Sequence, residues 1–176
     1  MTLSTEQIHQ WETEGYLLLK QAVPLPIIED VRQLFAQMVD RIIGQLRTED
    51  LIQDEGVDLP FEQRLYAVAG EHANRFGRSW RQQVLGKVIY DLHHAEPLAS
   101  AIGEITGTDV IGHPVFNARP KLPNQQLTVV PWHQDSGYFG AESATALIPA
   151  AWIPLVPVKR KSSLSFVPGL HRLKTV

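Results

Sequence analysis

The chain has no cysteine among its 176 residues. That excludes a disulfide framework, a thiolate metal site and a cysteine nucleophile, and it fits a cytoplasmic protein. Neither charge is in large excess: 16 Lys and Arg against 19 Asp and Glu leave a formal net charge of −3. Without a basic surplus, neither a nucleic-acid backbone nor an anionic membrane surface is an expected partner. No stretch approaches the roughly 20 consecutive apolar residues needed to cross a bilayer. The opening MTLSTEQIHQWETEG lacks the basic start and apolar run of a secretory signal. There is no internal repeat, no low-complexity tract, no phosphate-binding loop and no nucleophile elbow; Gly103 and Gly107 end a helix and form no phosphate cradle. The whole sequence is 44% hydrophobic and 20% charged, the composition of one soluble globular domain over 1–176.

Helical signals dominate residues 1–107. Ser4 and Gln7 have capping-box spacing, Ile8 and Trp11 share a helical face, and Gly15 supplies a left-handed stop. Tyr16–Lys20 then reads as a short strand. A helix is expected to start near Pro24 or Pro26, because proline suits a first turn. Its apolar positions Ile28, Val31, Leu34, Phe35, Met38, Val39 and Ile42 recur at three and four residues, which predicts an amphipathic helix. Arg47 to Pro60 is acidic and aperiodic, the pattern of an exposed loop. Helical spacing returns over Phe61–Ala73, from an N-cap at Ser79 to Leu92, and over Pro97–Ile105 before Gly107. His93 and His94 fall at a helix end, where cationic side chains favour the dipole.

Residues 108–176 change character. Val110-Ile111, Leu127 to Val130, Leu147-Ile148, Trp152 to Val156 and Leu164 to Val167 are short β-rich runs punctuated by proline and glycine. Helices followed by strands predict an α+β domain, with the helices buttressing a β-sandwich or barrel.

The stretch with chemical content is Pro131 to Phe139, PWHQDSGYF. On a strand His133 and Asp135 project to one face. An imidazole and a carboxylate presented together make two of the three ligands of the facial triad that holds non-haem Fe(II) with positions left open. With seven histidines in the chain, a His-x-Asp triplet also arises readily by accident, so on spacing alone a structural or exposed pair is the simpler reading. His113, before Pro114, has no partner at ligand spacing.

Three blocks in order carry a resemblance: NARPKLPNQQLTVVPWHQDSGYFG from Asn117, AWIPLVPV from Ala151 and LSFVPGLHR from Leu164. With the opening LSTEQIHQWETEGYLLLKQAV, they resemble the phytanoyl-CoA dioxygenase family of Fe(II)- and 2-oxoglutarate-dependent oxygenases. The resemblance implies a double-stranded β-helix, a jelly-roll or cupin-like sandwich, covered by the N-terminal helices. It implies Fe(II) as cofactor, 2-oxoglutarate as cosubstrate, and O₂ and a small organic molecule as reactants. It makes His133 and Asp135 the first two iron ligands. Gln134 then falls where 2-oxoglutarate or substrate is contacted, and Trp152 beside the cosubstrate, with core packing an open alternative. Asn117 and Lys121 lie on the strand bordering the site, where a turn residue and a solvated lysine are the simpler readings.

The resemblance further implies a distal histidine and a 2-oxoglutarate-binding arginine downstream of the Pro-Gly-x-His segment. The sequence reaches Val176 with neither in place, so the sandwich is expected to lack its last strands and the site to be incomplete. His171 is the one histidine after Asp135; it is read as a loop residue, with metal binding as the lesser option. Arg172 and Lys174 read as solvated charges, as does Lys159-Arg160-Lys161 in an altered turn continuing to Ser163. Two rival functions stay open: a catalytically incomplete remnant that binds without turnover, and a cupin-like metal-dependent hydrolase or isomerase.

Overall fold

The computed structural model describes residues 2–76, 80–110, 112–113, 115–123, 129–139 and 147–173. Among the described residues there are five α-helices: α1 (Thr5–Glu14), α2 (Leu25–Thr48), α3 (Phe61–Ala69), α4 (Lys87–His93) and α5 (Glu96–Thr106). Short 3₁₀ turns occupy Gly70–Phe76, Arg81–Gln83, Asp135–Tyr138 and Leu170–Arg172. No described helix is long and apolar enough to cross a membrane.

The local signals explain these elements. The Ser4 hydroxyl accepts from the Gln7 amide at 3.2 Å, the Gln7 side chain accepts from the Ser4 amide at 2.8 Å, and Gly15 ends α1 at φ 80°. The α2 helix begins at Leu25 and buries Val31, Phe35, Met38, Val39, Ile42, Ile43 and Leu46 along one face. Gly107, at φ 67°, ends α5 as its sequence position predicts. The helix expected to run unbroken to Leu92 is instead a 3₁₀ turn and then α4, with Gly86 between them at φ 152°, far from helical geometry. Its expected cap, Ser79, lies outside the described residues.

The chain divides into two compact units. One comprises Pro26–Leu92 and His113–Val130. Here the Phe35 and Trp80 rings stack at 5.9 Å, and Trp80 donates its backbone N–H to the Ala118 carbonyl at 2.8 Å. Arg64 pairs with Asp40, and Arg32 lies 5.5 Å over the Phe61 ring. Of the buried apolar residues among those described, all but Leu3, Ala22, Ala95 and Ala101 belong to this unit.

The other unit comprises Met1–Leu25, His93–Gly112 and Pro131–Val176. Glu104 accepts from the Leu3 amide at 2.8 Å, tying the start of the chain to α5. The Tyr16 and Phe166 rings stack at 5.4 Å with 7° between planes. Glu14 accepts a hydrogen bond from the Tyr16 hydroxyl, and its charge adds to that bond in holding the phenol above its ordinary range. Lys159 to Ser162 close a turn through a 2.8 Å backbone bond, with the three cationic side chains exposed.

The expected α+β architecture is corrected by this structure. Among the described residues no strand forms, and so no jelly-roll or cupin-like sandwich. Tyr16–Lys20, Trp152 to Val156 and Leu164 to Val167 are irregular, as are the described parts of the Val110-Ile111 and Leu127 to Val130 runs. Ile111 and Leu127-Thr128 lie outside the described residues. Pro154, Pro157 and Pro168 each remove an amide donor from within or beside the runs, which breaks a ladder. β-rich composition specifies a strand only when a second backbone pairs with it. Val129, Leu147, Trp152, Phe166 and Val167 instead stay exposed.

Candidate metal centre

His133 and Asp135 lie in the second of these units, on a segment that opens in irregular backbone. Gln134 between them is extended, at φ −110° and ψ 132°, and the chain then tightens into the 3₁₀ turn Asp135–Tyr138. The turn, and no strand face, brings the two side chains together, with Nε2 of His133 3.2 Å from Oδ1 of Asp135.

The other imidazole nitrogen settles the ring's hydrogen. Nδ1 stands 2.7 Å from the Pro131 carbonyl, and a carbonyl oxygen only accepts, so Nδ1 carries the N–H and donates it. The Tyr138 ring meets the imidazole edge to face at 5.5 Å and 68°. A neutral His133 therefore turns the lone pair of Nε2 toward a carboxylate oxygen. Two acceptors at this separation repel unless a cation serves both, either a proton on Nε2 or a metal ion between them. A histidine that donates one N–H to a carbonyl while freeing the other nitrogen has the outer-shell arrangement of metal-bound imidazoles.

The spacing suits an ion. Nitrogen and oxygen ligands stand about 2.0–2.2 Å from a small divalent metal, and two at right angles are about 3 Å apart; the observed pair is at 3.2 Å. The His133 and Asp135 side chains remain 34% and 51% exposed, so an ion can reach them from solvent. Among the described residues no group of three or more His, Cys, Asp or Glu forms that could hold a metal.

Gln134 donates its amide Nε2 to the Leu170 carbonyl at 3.1 Å. Trp152 is in the same unit, 44% exposed. Asn117 and Lys121 belong to the other unit, where Asn117 accepts from the Arg119 guanidinium at 3.1 Å. His171 donates from Nε2 to the Glu12 carbonyl at 3.2 Å, at the end of α1. Lys174 lies outside the described residues. Sequence reasoning missed the Pro131 carbonyl and the Tyr138 ring as supports of His133. Their spacing, two residues before and five after, carries no signal without the fold of the turn.

An imidazole and a carboxylate set for one cation define a candidate mononuclear metal site. The family model described as Phytanoyl-CoA dioxygenase matches residues 11–175, so the chain belongs to the phytanoyl-CoA dioxygenase family, whose members are generally Fe(II)- and 2-oxoglutarate-dependent oxygenases. Comparisons with curated proteins and with solved structures find no match.

Proposed function

We propose that this chain works as a non-haem Fe(II)/2-oxoglutarate-dependent dioxygenase that hydroxylates a small organic substrate, with His133 and Asp135 as metal ligands. Family membership supports the oxygenase class. The observation that carries the assignment of residues is Nε2 of His133 standing 3.2 Å from Oδ1 of Asp135 while the Pro131 carbonyl takes the hydrogen on Nδ1. When bound, the ferrous ion with 2-oxoglutarate and O₂ supplies oxidising chemistry that converts the cosubstrate to succinate and CO₂ as the substrate is hydroxylated.

The chain's own groups have simpler tasks. Pro131 holds the ring of His133 in the tautomer whose Nε2 can donate its lone pair, and Asp135 contributes negative charge. Tyr138 restrains the ring's rotation. Trp152 offers an exposed indole in the same unit, suited to flank a bound cosubstrate. Asn117 and Lys121 enter no step of this reading.

A second reading rests on one observation, that His133 and Asp135 have no third ligating partner among the described residues. On that reading the chain is an incomplete remnant that binds metal weakly and turns nothing over. Mn(II) titration followed by the electron paramagnetic resonance of the free ion separates the two. The oxygenase reading expects one tightly held ion per chain, lost in His133→Ala, together with succinate release from 2-oxoglutarate under Fe(II) and O₂. Weak binding indifferent to His133→Ala, without succinate, leaves the remnant.

A further inference from the structure

The α1 helix ends without a basic residue of its own in the last turn. Its final carbonyls carry the negative end of the helix dipole and lack intrahelical donors. Those donors come from the far end of the sequence. Arg172 reaches the Glu12 carbonyl with Nε at 3.2 Å and a terminal nitrogen at 2.5 Å, across 160 positions. His171 adds its Nε2–H to the same oxygen at 3.2 Å, and Gly169 donates its amide to the Glu14 carbonyl at 2.9 Å.

Two glycines permit this approach. A Cβ on Gly15 would stand 2.2 Å from Nδ1 of His171, so only glycine lets that ring settle on the helix end. Gly169 adopts φ 79°, the left-handed geometry open to glycine at little cost. The Tyr16–Phe166 ring stack lies close by in sequence on both sides of the contact.

The latched turn then touches the metal segment. Gln134, between the two candidate ligands, donates to the Leu170 carbonyl at 3.1 Å, across 36 positions. The supports that His133 draws from Pro131 and Tyr138 are local to its own segment, whereas this bond fixes the segment to the turn.

We propose that the end of α1 anchors the candidate metal centre: the Gly169–Arg172 turn, latched to α1 by Arg172 and His171, holds Gln134 and so sets His133 against Asp135. Gln134 and Arg172 are thus positioning residues, and the Gln134 amide serves this tie. The consequence for metal affinity rests on the function proposed above; the mechanical tie stands without it.

The test uses the full chain and three variants, Arg172→Ala, Arg172→Lys and Gln134→Glu. Hydrogen exchange of the backbone amides from Trp132 through Phe139 reads the tie, and Mn(II) titration reads its effect on the site. Arg172→Ala and Gln134→Glu are expected to speed exchange across 131–139 and to weaken Mn(II) binding about tenfold, the low end for losing an outer-shell partner. Arg172→Lys keeps a donor for the Glu12 carbonyl and is expected to recover most of both. Should Arg172→Ala fail to fold, Gln134→Glu, which leaves the latch intact, decides. Exchange at 131–139 unchanged in the folded variants overturns the proposal, as does Mn(II) affinity indifferent to both in a wild type that binds it. A wild type that binds no Mn(II) defeats the metal assignment, and exchange alone then decides the tie.

Discussion

A neutral imidazole has one nitrogen that donates and one that accepts, so fixing either determines what the other can do. In a neutral His133 the Pro131 carbonyl takes the donor, which leaves Nε2 as an acceptor beside the Asp135 carboxylate. Replacing Asp135 by asparagine removes the charge but supplies an N–H that can satisfy Nε2 directly. Asp135→Asn is therefore expected to match or exceed the wild type in metal-free stability, by up to about 1 kcal/mol in urea denaturation, while losing Mn(II) binding. A clear loss of metal-free stability would mean that the carboxylate makes a structural ion pair with a protonated ring. His93 gives a second test at this scale. Burial first, and then the neighbouring charge of His94, hold its pKa below the ordinary 6.5. The unfolded chain thus takes up the proton first as pH falls, so stability is full above that value and declines below it. His93→Asn is expected to flatten the decline in urea midpoint between roughly pH 7.5 and 5.5. The sequence placed His93 where protonation favours the helix dipole; its half-buried position opposes that, and burial is a tertiary property that helix position does not reveal.

Helices were legible because their determinants are local. The Ser4–Gln7 box lies within one turn, and Ser4→Ala is expected to cost about 1 kcal/mol of stability, read by chemical denaturation. The apolar spacing of α2 likewise named its buried face, although Ile43, fully enclosed at 0% exposure, was not among the residues its periodicity singled out. Ile43→Ala removes three carbons from that site and is expected to cost about 2–5 kcal/mol, the larger value if the cavity cannot collapse. Trp80 is subtler: it is 3% exposed, yet its indole N–H has no acceptor among the described residues. Trp80→Phe keeps most of the ring stack on Phe35 and deletes that donor, so it should cost far less than the about 3–5 kcal/mol of Trp80→Ala. The β-rich runs show the limit of this kind of reading. Trp152 to Val156 has suitable residues, but a strand is a relation between two backbones, and the prolines at 154 and 157 remove donors within and just after the run. The candidate site was legible by residue type, in His133 and Asp135. The turn that joins them and the Arg172 contact with Glu12 were not, since neither a 3₁₀ geometry nor a meeting across 160 positions leaves a periodic trace.

Across the whole molecule, the buried core and the candidate site fall in different units. Among the described residues, the large enclosed side chains Val31, Ile43, Leu46 and Val84 all lie in the unit of α2, whereas the unit holding His133 and Asp135 contributes only Leu3, Ala22, Ala95 and Ala101 to the core. Apolar burial is the main source of resistance to opening, so the two units should open at different free energies. Native-state hydrogen exchange is expected to find the slowest amides in α2 around Ile43 and much faster ones at 131–139. A ligand that binds only the closed site adds stability by mass action, about 2.7 kcal/mol when its free concentration is 100 times its dissociation constant. That increment has to appear where the ligand binds. Saturating Mn(II) should therefore slow exchange at 131–139 and leave the α2 amides nearly as they were, with a chelator reversing the effect. Protection that rose first in α2 would place the ion's binding outside the His133–Asp135 pair. Protection spreading from 131–139 to the end of α1 would follow from the Gln134 and Arg172 contacts, because the bonds proposed to position the candidate ligands would then carry the ion's stabilisation back to the helix.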